Sequence, residues 1–300
     1  MTWTESARRP GSPSDHPSSG APRSALVGQF VSRAALYILL AIIAILCIAP
    51  IVMLYSGSLQ TARELYRGTT LIPTSPKWEN FHKVWVDSKF YVYFLNSVLY
   101  SAVAVTATLV ISSMAAFAFA RLRFRGKNLF LLLVFTILIV PASASFIPLY
   151  AVLVKLHLTN TRIGYLLPVI SAALPLSIFI LQRFFATIPK EIEEAAVLDG
   201  ASLGGLYFHI MLPLVKPGLA AVAVLTLVST WNEFLLALVV FRDQSLMPVQ
   251  QGLVQFNSSE RPEQELMLAA AAIAILPVLV AYVVAQKAII RGVMAGAVRG

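Results

Sequence analysis

Residues 191–213 read EIEEAAVLDGASLGGLYFHIMLP, and this polar stretch lies between two apolar runs long enough to cross a membrane. Its fixed positions follow the spacing E-A-A-x(3)-G-x(9)-I-x-L-P without a mismatch. These positions are Glu194, Ala195, Ala196, Gly200, Ile210, Leu212 and Pro213. Agreement over so long a spacing indicates a loop of specified geometry rather than a hairpin that only joins two spans.

The composition places the chain in a membrane. Its 300 residues are 58% hydrophobic and 12% charged, unlike a soluble domain. Six apolar runs approach the roughly 20 residues that a spanning helix needs. They are Ala34–Tyr55, Phe94–Ala120, Leu129–Leu153, Ile163–Leu181, Leu219–Val240 and Leu266–Ala285. We predict an all-α polytopic membrane protein with six transmembrane helices. Pro141 and Pro148 indicate that the third is a broken helix or a helix with a re-entrant turn.

The basic residues predict the orientation. With six spans, 14 of the 23 Lys and Arg residues fall on the side of both termini. Four of them lie close together, at Arg121, Arg123, Arg125 and Lys127. Because basic loops stay in the cytoplasm, we predict a bacterial inner-membrane protein with both termini cytoplasmic. The net charge of +9 is then a topology signal, so we expect membrane lipid but no nucleic acid among the partners.

The chain divides into three parts. Residues 1–33, rich in Pro and Ser at their start, are predicted to be a disordered cytoplasmic tail. Residues 34–290 form the transmembrane domain, and residues 291–300 a cytoplasmic C-terminal tail. The first apolar run is too long for a signal peptide, so we expect it to be retained as a helix. The signature loop, defined here as residues 186–213, lies on the cytoplasmic side.

Local signals predict two short helices in the signature loop. Thr187 is expected to cap the first, with Pro189 in its first turn. Gly200 suits a left-handed cap at its end, and Ser202 can cap the second. Four residues of the first helix are expected to share a face: Ile188, Ile192, Ala195 and Ala196. Because the alanine side chains are small, another protein can approach the backbone closely on this face.

Several motifs carry a family resemblance that runs from about Ala34 to Gly300. They are the signature itself, Ile188-Pro189, Leu198-Asp199-Gly200-Ala201, Phe94-Leu95-Asn96-Ser97, Trp231-Asn232-Glu233-Phe234 and the Gly-rich end GVMAGAVRG at 292–300. With them, the chain resembles the MalG-type permease subunit of carbohydrate ABC importers. The resemblance implies the type I importer permease fold. It also implies transport of a sugar, an oligosaccharide or a related solute.

The resemblance also implies partners and site residues. A second homologous permease, an ABC ATPase dimer and an extracytoplasmic solute-binding protein are expected. The loop corresponding to 241–265 would reach into the binding protein, and the tail 291–300 would contact the ATPases. The residues expected to couple to the ATPase are Glu191, Glu194, Ala195, Ala196, Asp199, Gly200, Ile210, Leu212 and Pro213.

No enzyme chemistry is evident in the sequence. Gly126-Lys127 is followed by Asn128, and the glycine that a Walker A loop needs five positions earlier is Arg121. The four histidines are scattered without metal-ligand spacing. We therefore predict a non-catalytic subunit with no cofactor and no metal, driven by ATP hydrolysis on another polypeptide.

Polar residues in the apolar runs are candidates for the solute path. Glu233 is the one charged residue placed within a span, where a carboxylate costs about 2.5–3.5 kcal/mol and should face protein or water. Asn232, Asn96 and Tyr150 are further candidates. The alternative for Glu233 is a structural bond or a position near the outer surface.

Two other functions remain as alternatives. The same signature serves importers of other solutes, so a permease for glycerol phosphate, an amino acid or a peptide is the first. A polytopic membrane enzyme is the second, but it would ordinarily carry paired intramembrane acids or a His cluster.

Overall fold

A computed structural model describes residues 23–68, 71–139, 142–257 and 263–297, and these ranges are helical with no strand. The first helices are α1 (Arg23–Ser58), α2 (Ala62–Arg67), α3 (Glu79–His82), α4 (Phe90–Arg121), α5 (Lys127–Thr136) and α6 (Ala142–Lys155). The remainder are α7 (Arg162–Thr187), α8 (Lys190–Leu198), α9 (Leu203–Leu214), α10 (Lys216–Trp231), α11 (Leu235–Val240), α12 (Val249–Val254) and α13 (Gln264–Ala297). The all-α prediction is confirmed.

Four helices of the described ranges are long and apolar enough to cross a membrane: α1, α4, α7 and α13. The pair α9 and α10 passes the same test together but is bent by 74°, so the described ranges contain four such spans, or five if this pair is one span, against the six predicted. The third predicted run is divided into α5 and α6, as its prolines indicated. Pro148 lies inside α6, whereas Pro141 lies outside the described residues.

The fifth predicted span, Leu219–Val240, is not one helix. α10 ends at Trp231, and α11 begins at Leu235. The Asn232 side chain donates to the Val228 carbonyl at 2.9 Å, and the Glu233 carboxylate accepts from the Leu236 N–H at 2.9 Å. Side chains that bond to nearby backbone in this way end one helix and cap the next.

Both predicted tails are partly helical. α1 begins at Arg23, so residues 23–33 continue the first helix instead of belonging to a disordered tail. Residues 1–22 lie outside the described residues. α13 runs to Ala297 and so includes most of the predicted 291–300 tail. Neither stretch contains a proline that would stop the helix.

The chain divides into two units, the first ending at Val52 and the second beginning at Met53. In the second unit α4 packs against α7 and α10, and α10 packs against α13. The buried face of α4 carries small side chains three or four positions apart. They are Ser97, Ser101, Ala104, Thr108, Ser112 and Ala116. Small residues at this spacing let membrane helices approach closely.

Candidate functional site

The first complete helix of the signature loop is α8, which follows α7 after only Ile188 and Pro189. The predicted Thr187 cap is wrong, because α7 continues through Thr187 and its hydroxyl donates back to the Phe184 carbonyl at 2.8 Å. Pro189 instead occupies the cap position, in an extended conformation. Glu191 and Glu193 lie in the first turn, where the helix dipole favours negative charge.

Gly200 ends α8 in the left-handed conformation, with φ of +81°, as predicted. The Gly200 N–H donates to the Val197 carbonyl at 3.0 Å, and the Ala201 N–H donates to the Ala196 carbonyl at 2.9 Å. These two bonds form a Schellman motif, with Asp199 at the C-cap position. The predicted Ser202 cap is also confirmed, since its hydroxyl accepts from the Gly205 N–H at 3.1 Å.

The predicted shared face of α8 is divided in two. Ile188 and Ala196 are buried against the helix bundle, whereas Ile192 and Ala195 are exposed. Leu198 is 88% exposed. The outward surface of α8, called the α8 face below, consists of Glu191, Ile192, Glu194, Ala195 and Leu198. It presents apolar side chains next to carboxylates, as a partner-binding surface does.

The second half of the loop anchors the first. α9 contains a π-helical segment, Leu206–Met211, a rare local form that is frequent at functional sites. Ile210 and Leu212 are half-buried and pack against an apolar cluster that includes Phe185 and Met211. Ile210 and Leu212 therefore hold the loop on the bundle, while Pro213 is exposed.

Two polar side chains of α4 contact the signature loop, and neither contact was predicted from the sequence. The Ser113 and Tyr207 hydroxyl oxygens lie 2.8 Å apart in a buried hydrogen bond. Arg121 donates through Nη2 to the Phe185 carbonyl at 2.6 Å and to the Ile188 carbonyl. Its Nη1 lies 3.6 Å from the Glu193 carboxylate. Arg121 stood among four basic residues, and that grouping indicated only orientation.

The opposite end of α4 holds a segment that we call the returning segment, residues 241–257. Four α4 side chains bond to it. Asn96 donates to the Ser245 and Met247 carbonyls at 2.8 and 3.1 Å, and Tyr100 donates to the Leu246 carbonyl at 2.7 Å. The Ser97 hydroxyl accepts from the Val249 N–H at 2.8 Å, and Tyr93 donates to Gln255 at 2.9 Å. These hydrogen bonds hold the returning segment against the start of α4.

The beginning of the returning segment is fixed by side chains that cap its backbone. Asn160 accepts from the N–H groups of Arg242 and Asp243, each at 3.0 Å. The Asp243 carboxylate accepts from the Ser245 N–H at 2.9 Å. This hydrogen bond stabilises the ionised form and lowers the pKa of Asp243 below its ordinary value.

The predicted path residues make structural contacts. Glu233 lies at the break between α10 and α11 and caps α11, and Asn232 accepts from the Gln250 side chain of the returning segment at 3.2 Å. Asn96 is buried and bonded to that segment as well. Tyr150 is half-buried on α6, one turn before Leu153. A role of these residues in the solute path stays a prediction.

Within the described parts of the chain, no group of three or more His, Cys, Asp or Glu residues is arranged to hold a metal ion. The site therefore consists of three parts. α8 is a short exposed helix, α9 anchors the signature loop on the bundle, and α4 bonds to the signature loop near its end and to the returning segment near its start.

The fold is that of an ABC importer permease. A bacterial ABC transporter involved in the import of the acidic polysaccharide alginate contains a chain of the same fold. The match has a TM-score of 0.77 and 24% sequence identity, and it covers 90% of this chain and 99% of that one. Residues 107–294 match the family of binding-protein-dependent transport system inner membrane components, and the chain belongs to that family.

Curated relatives match over nearly their whole length. The arabinooligosaccharides transport system permease protein AraQ of Halalkalibacterium halodurans is 35% identical over 264 residues, covering 87% of this chain and 94% of AraQ. The diacetylchitobiose uptake system permease protein NgcG of Streptomyces coelicolor is 32% identical, covering 87% of each chain. The trehalose transport system permease protein SugB of Mycobacterium tuberculosis is 32% identical, covering 84% of this chain and 92% of SugB. The resemblance drawn from the sequence motifs is confirmed.

Proposed function

We propose that this chain is a permease subunit of an ATP-driven sugar importer. In this account it forms half of the translocation path, beside a second homologous permease, for an oligosaccharide or related sugar. An ABC ATPase dimer binds from the cytoplasm, and an extracytoplasmic binding protein delivers the solute. Relatives named for arabinooligosaccharides, diacetylchitobiose and trehalose support a sugar over a phosphate, an amino acid or a peptide.

The α8 face carries the proposal. It exposes Leu198 almost fully and places Glu191 and Glu194 beside it on a short helix that is closed at its end by Gly200. Ile192, Ala195 and Leu198 together form an exposed apolar patch beside carboxylates, on a loop that is otherwise anchored in the bundle, and such patches mark sites of protein interaction. The basic residues of the neighbouring segment 121–127 support a cytoplasmic position for this face.

The mechanism that we infer is alternating access. Closure of the ATPase dimer on ATP would displace α8, and the helices packed on it would move with it as a rigid body around a central solute site. The binding protein would engage the returning segment, which is held at the other end of α4.

The test is reconstitution of the chain with its co-encoded permease, ATPase and binding protein in nanodiscs. ATP hydrolysis is measured with the binding protein charged in turn with arabinooligosaccharides, diacetylchitobiose, trehalose, glycerol phosphate and an amino-acid mixture. We expect stimulation by one of the sugars. Stimulation only by a non-sugar would overturn the sugar assignment, and failure of the ATPase to co-purify would overturn the whole proposal.

A further inference from the structure

Arg121 is a buried cation at a junction of three helices. It is the last residue of α4, and its side chain is only 6% exposed. A buried charge is costly unless its partners satisfy it. Its partners belong to two other elements, the end of α7 and the first turn of α8.

The carbonyl groups that Arg121 contacts mark the end of α7. The last carbonyls of a helix have no partner within the helix, and a cation there also complements the helix dipole. Arg121 donates to the carbonyl of Phe185 in the last turn of α7 and to that of Ile188, the residue that follows the helix. The planar guanidinium group can serve two carbonyl oxygens and a carboxylate at once, whereas an ammonium group has no such fixed fork.

The two residues Ile188 and Pro189 are the entire connection between α7 and α8. Any movement of α8 relative to α7 must therefore change the backbone there. Arg121 holds the Ile188 carbonyl on one side of this connection and faces the Glu193 carboxylate on the other. The 3.6 Å separation from Glu193 is longer than a hydrogen bond, so this contact can shorten or open with little rearrangement.

α4 connects these contacts of Arg121 to the other end of the bundle. It has 32 residues, which corresponds to roughly 48 Å of helix. Its first turns hold the returning segment through Asn96 and Tyr100, and its last residue bonds to the connection before α8 and faces Glu193 of α8. The Ser113–Tyr207 bond adds a second contact to the signature loop.

We propose that Arg121 is a positioning residue that clamps the connection between α7 and α8, so that displacement of α8 is passed to α4 and from there to the returning segment. This inference rests on the proposed function, because it concerns how an ATPase bound at α8 and a binding protein at the returning segment influence each other.

The test compares variants in the reconstituted complex, with three readouts: the amount of assembled complex, ATP hydrolysis with and without the sugar-loaded binding protein, and sugar imported per ATP hydrolysed. The sugar is whichever of the arabinooligosaccharides, diacetylchitobiose or trehalose stimulates the unmodified complex. Arg121→Gln removes both the charge and the planar set of guanidinium N–H donors, whereas Arg121→Lys keeps only the charge. The matched control is Arg123→Gln, an exposed arginine two residues further along the chain.

We expect Arg121→Gln to lower stimulation by the loaded binding protein at least about fivefold, the lower end of typical coupling between two sites. The sugar imported per ATP should fall with it, and Arg121→Lys should retain part of both. Arg123→Gln should leave all three readouts unchanged. A clamp also predicts that adding Glu193→Gln to Arg121→Gln causes no further loss, since the two residues act through one contact.

A merely structural cap would lower the amount of assembled complex and leave the sugar imported per ATP unchanged, and that result would overturn the inference. If Arg121→Gln does not assemble, Glu193→Gln decides the matter, because it leaves the bonds to α7 intact. If Glu193→Gln leaves the sugar imported per ATP hydrolysed unchanged, that result would contradict the clamp. Absence of the ATPase from the unmodified complex would refute the proposed function instead.

Discussion

The Tyr207 hydroxyl of the signature loop lies 2.8 Å from the buried Ser113 hydroxyl, near the end of α4. The Tyr207 ring also packs on Phe117, with ring centroids 5.2 Å apart. A loop on a membrane protein that inserts a tyrosine between spanning helices cannot move independently of them. The signature loop is thus anchored in the bundle through α9, while the α8 face is exposed.

Gly200 offers the first prediction. Its positive φ costs a residue with a side chain about 1–2 kcal/mol, so Gly200→Val should disturb the end of α8 and abolish uptake. Membrane insertion should be unaffected, as measured by the amount of chain in the membrane fraction. Gly204→Ala is the control, because Gly204 is helical and has open space around the site of an added Cβ. Uptake at the unmodified rate in Gly200→Val would contradict a role for α8 as a lever.

Leu198 should matter for docking and not for folding. Because it is 88% exposed, Leu198→Ser removes almost no internal packing. We expect the affinity for the ATPase to fall on the order of tenfold, the size of a moderate interface hot spot. The measurement is ATPase binding to the permease pair in nanodiscs, with thermal stability as a check on folding. Leu71→Ser, at another exposed leucine, is the control. Equal ATPase affinities for Leu198→Ser and Leu71→Ser would exclude the α8 face as the docking surface for the ATPase.

Asn96 should hold the returning segment. Asn96→Leu keeps the size of the side chain but leaves the Ser245 and Met247 carbonyls without their donor, at a cost of about 1–3 kcal/mol for each group that stays buried. We expect faster hydrogen exchange in residues 245–249 and weaker stimulation by the loaded binding protein. Tyr100→Phe removes a single bond on the same face and should have a smaller effect. Unchanged exchange in Asn96→Leu would show that other contacts fix the segment.

Two variants of Glu233 distinguish a capping role from a role in the solute path. Glu233→Gln keeps an oxygen that can accept from the Leu236 N–H, whereas Glu233→Ala does not, so only the alanine variant should lower assembly. If the carboxylate lines the path, sugar uptake by the assembled Glu233→Gln complex should fall at least about fivefold. Normal uptake by that complex would leave Glu233 with the cap alone.

Much of this architecture follows from local sequence. The Gly200 and Ser202 caps and the break of the third run each depend on neighbouring residues, and the structure contains all three. Of the six apolar runs, four are single long helices, whereas the third and the fifth are divided. Thr187 was misplaced because a threonine can cap a helix or bond back within one, and the choice depends on how far α7 extends.

The remaining features depend on residues far apart in the chain. Asn96 meets the Ser245 carbonyl 149 positions later, and Arg121 meets the Phe185 carbonyl 64 positions later. A polar residue near a span end has the same local sequence whether it lines a path or holds a loop. The break at Asn232 and Glu233 was hidden in the same way, since the apolar run continues through Leu235.

The most direct test of the central claim is uphill uptake of the stimulating sugar into proteoliposomes, with and without the ATPase subunit, at saturating loaded binding protein and ATP. The account predicts accumulation only when the ATPase is present, and slower accumulation when Leu198→Ser weakens its attachment at α8. Accumulation by the permease pair without the ATPase would contradict it.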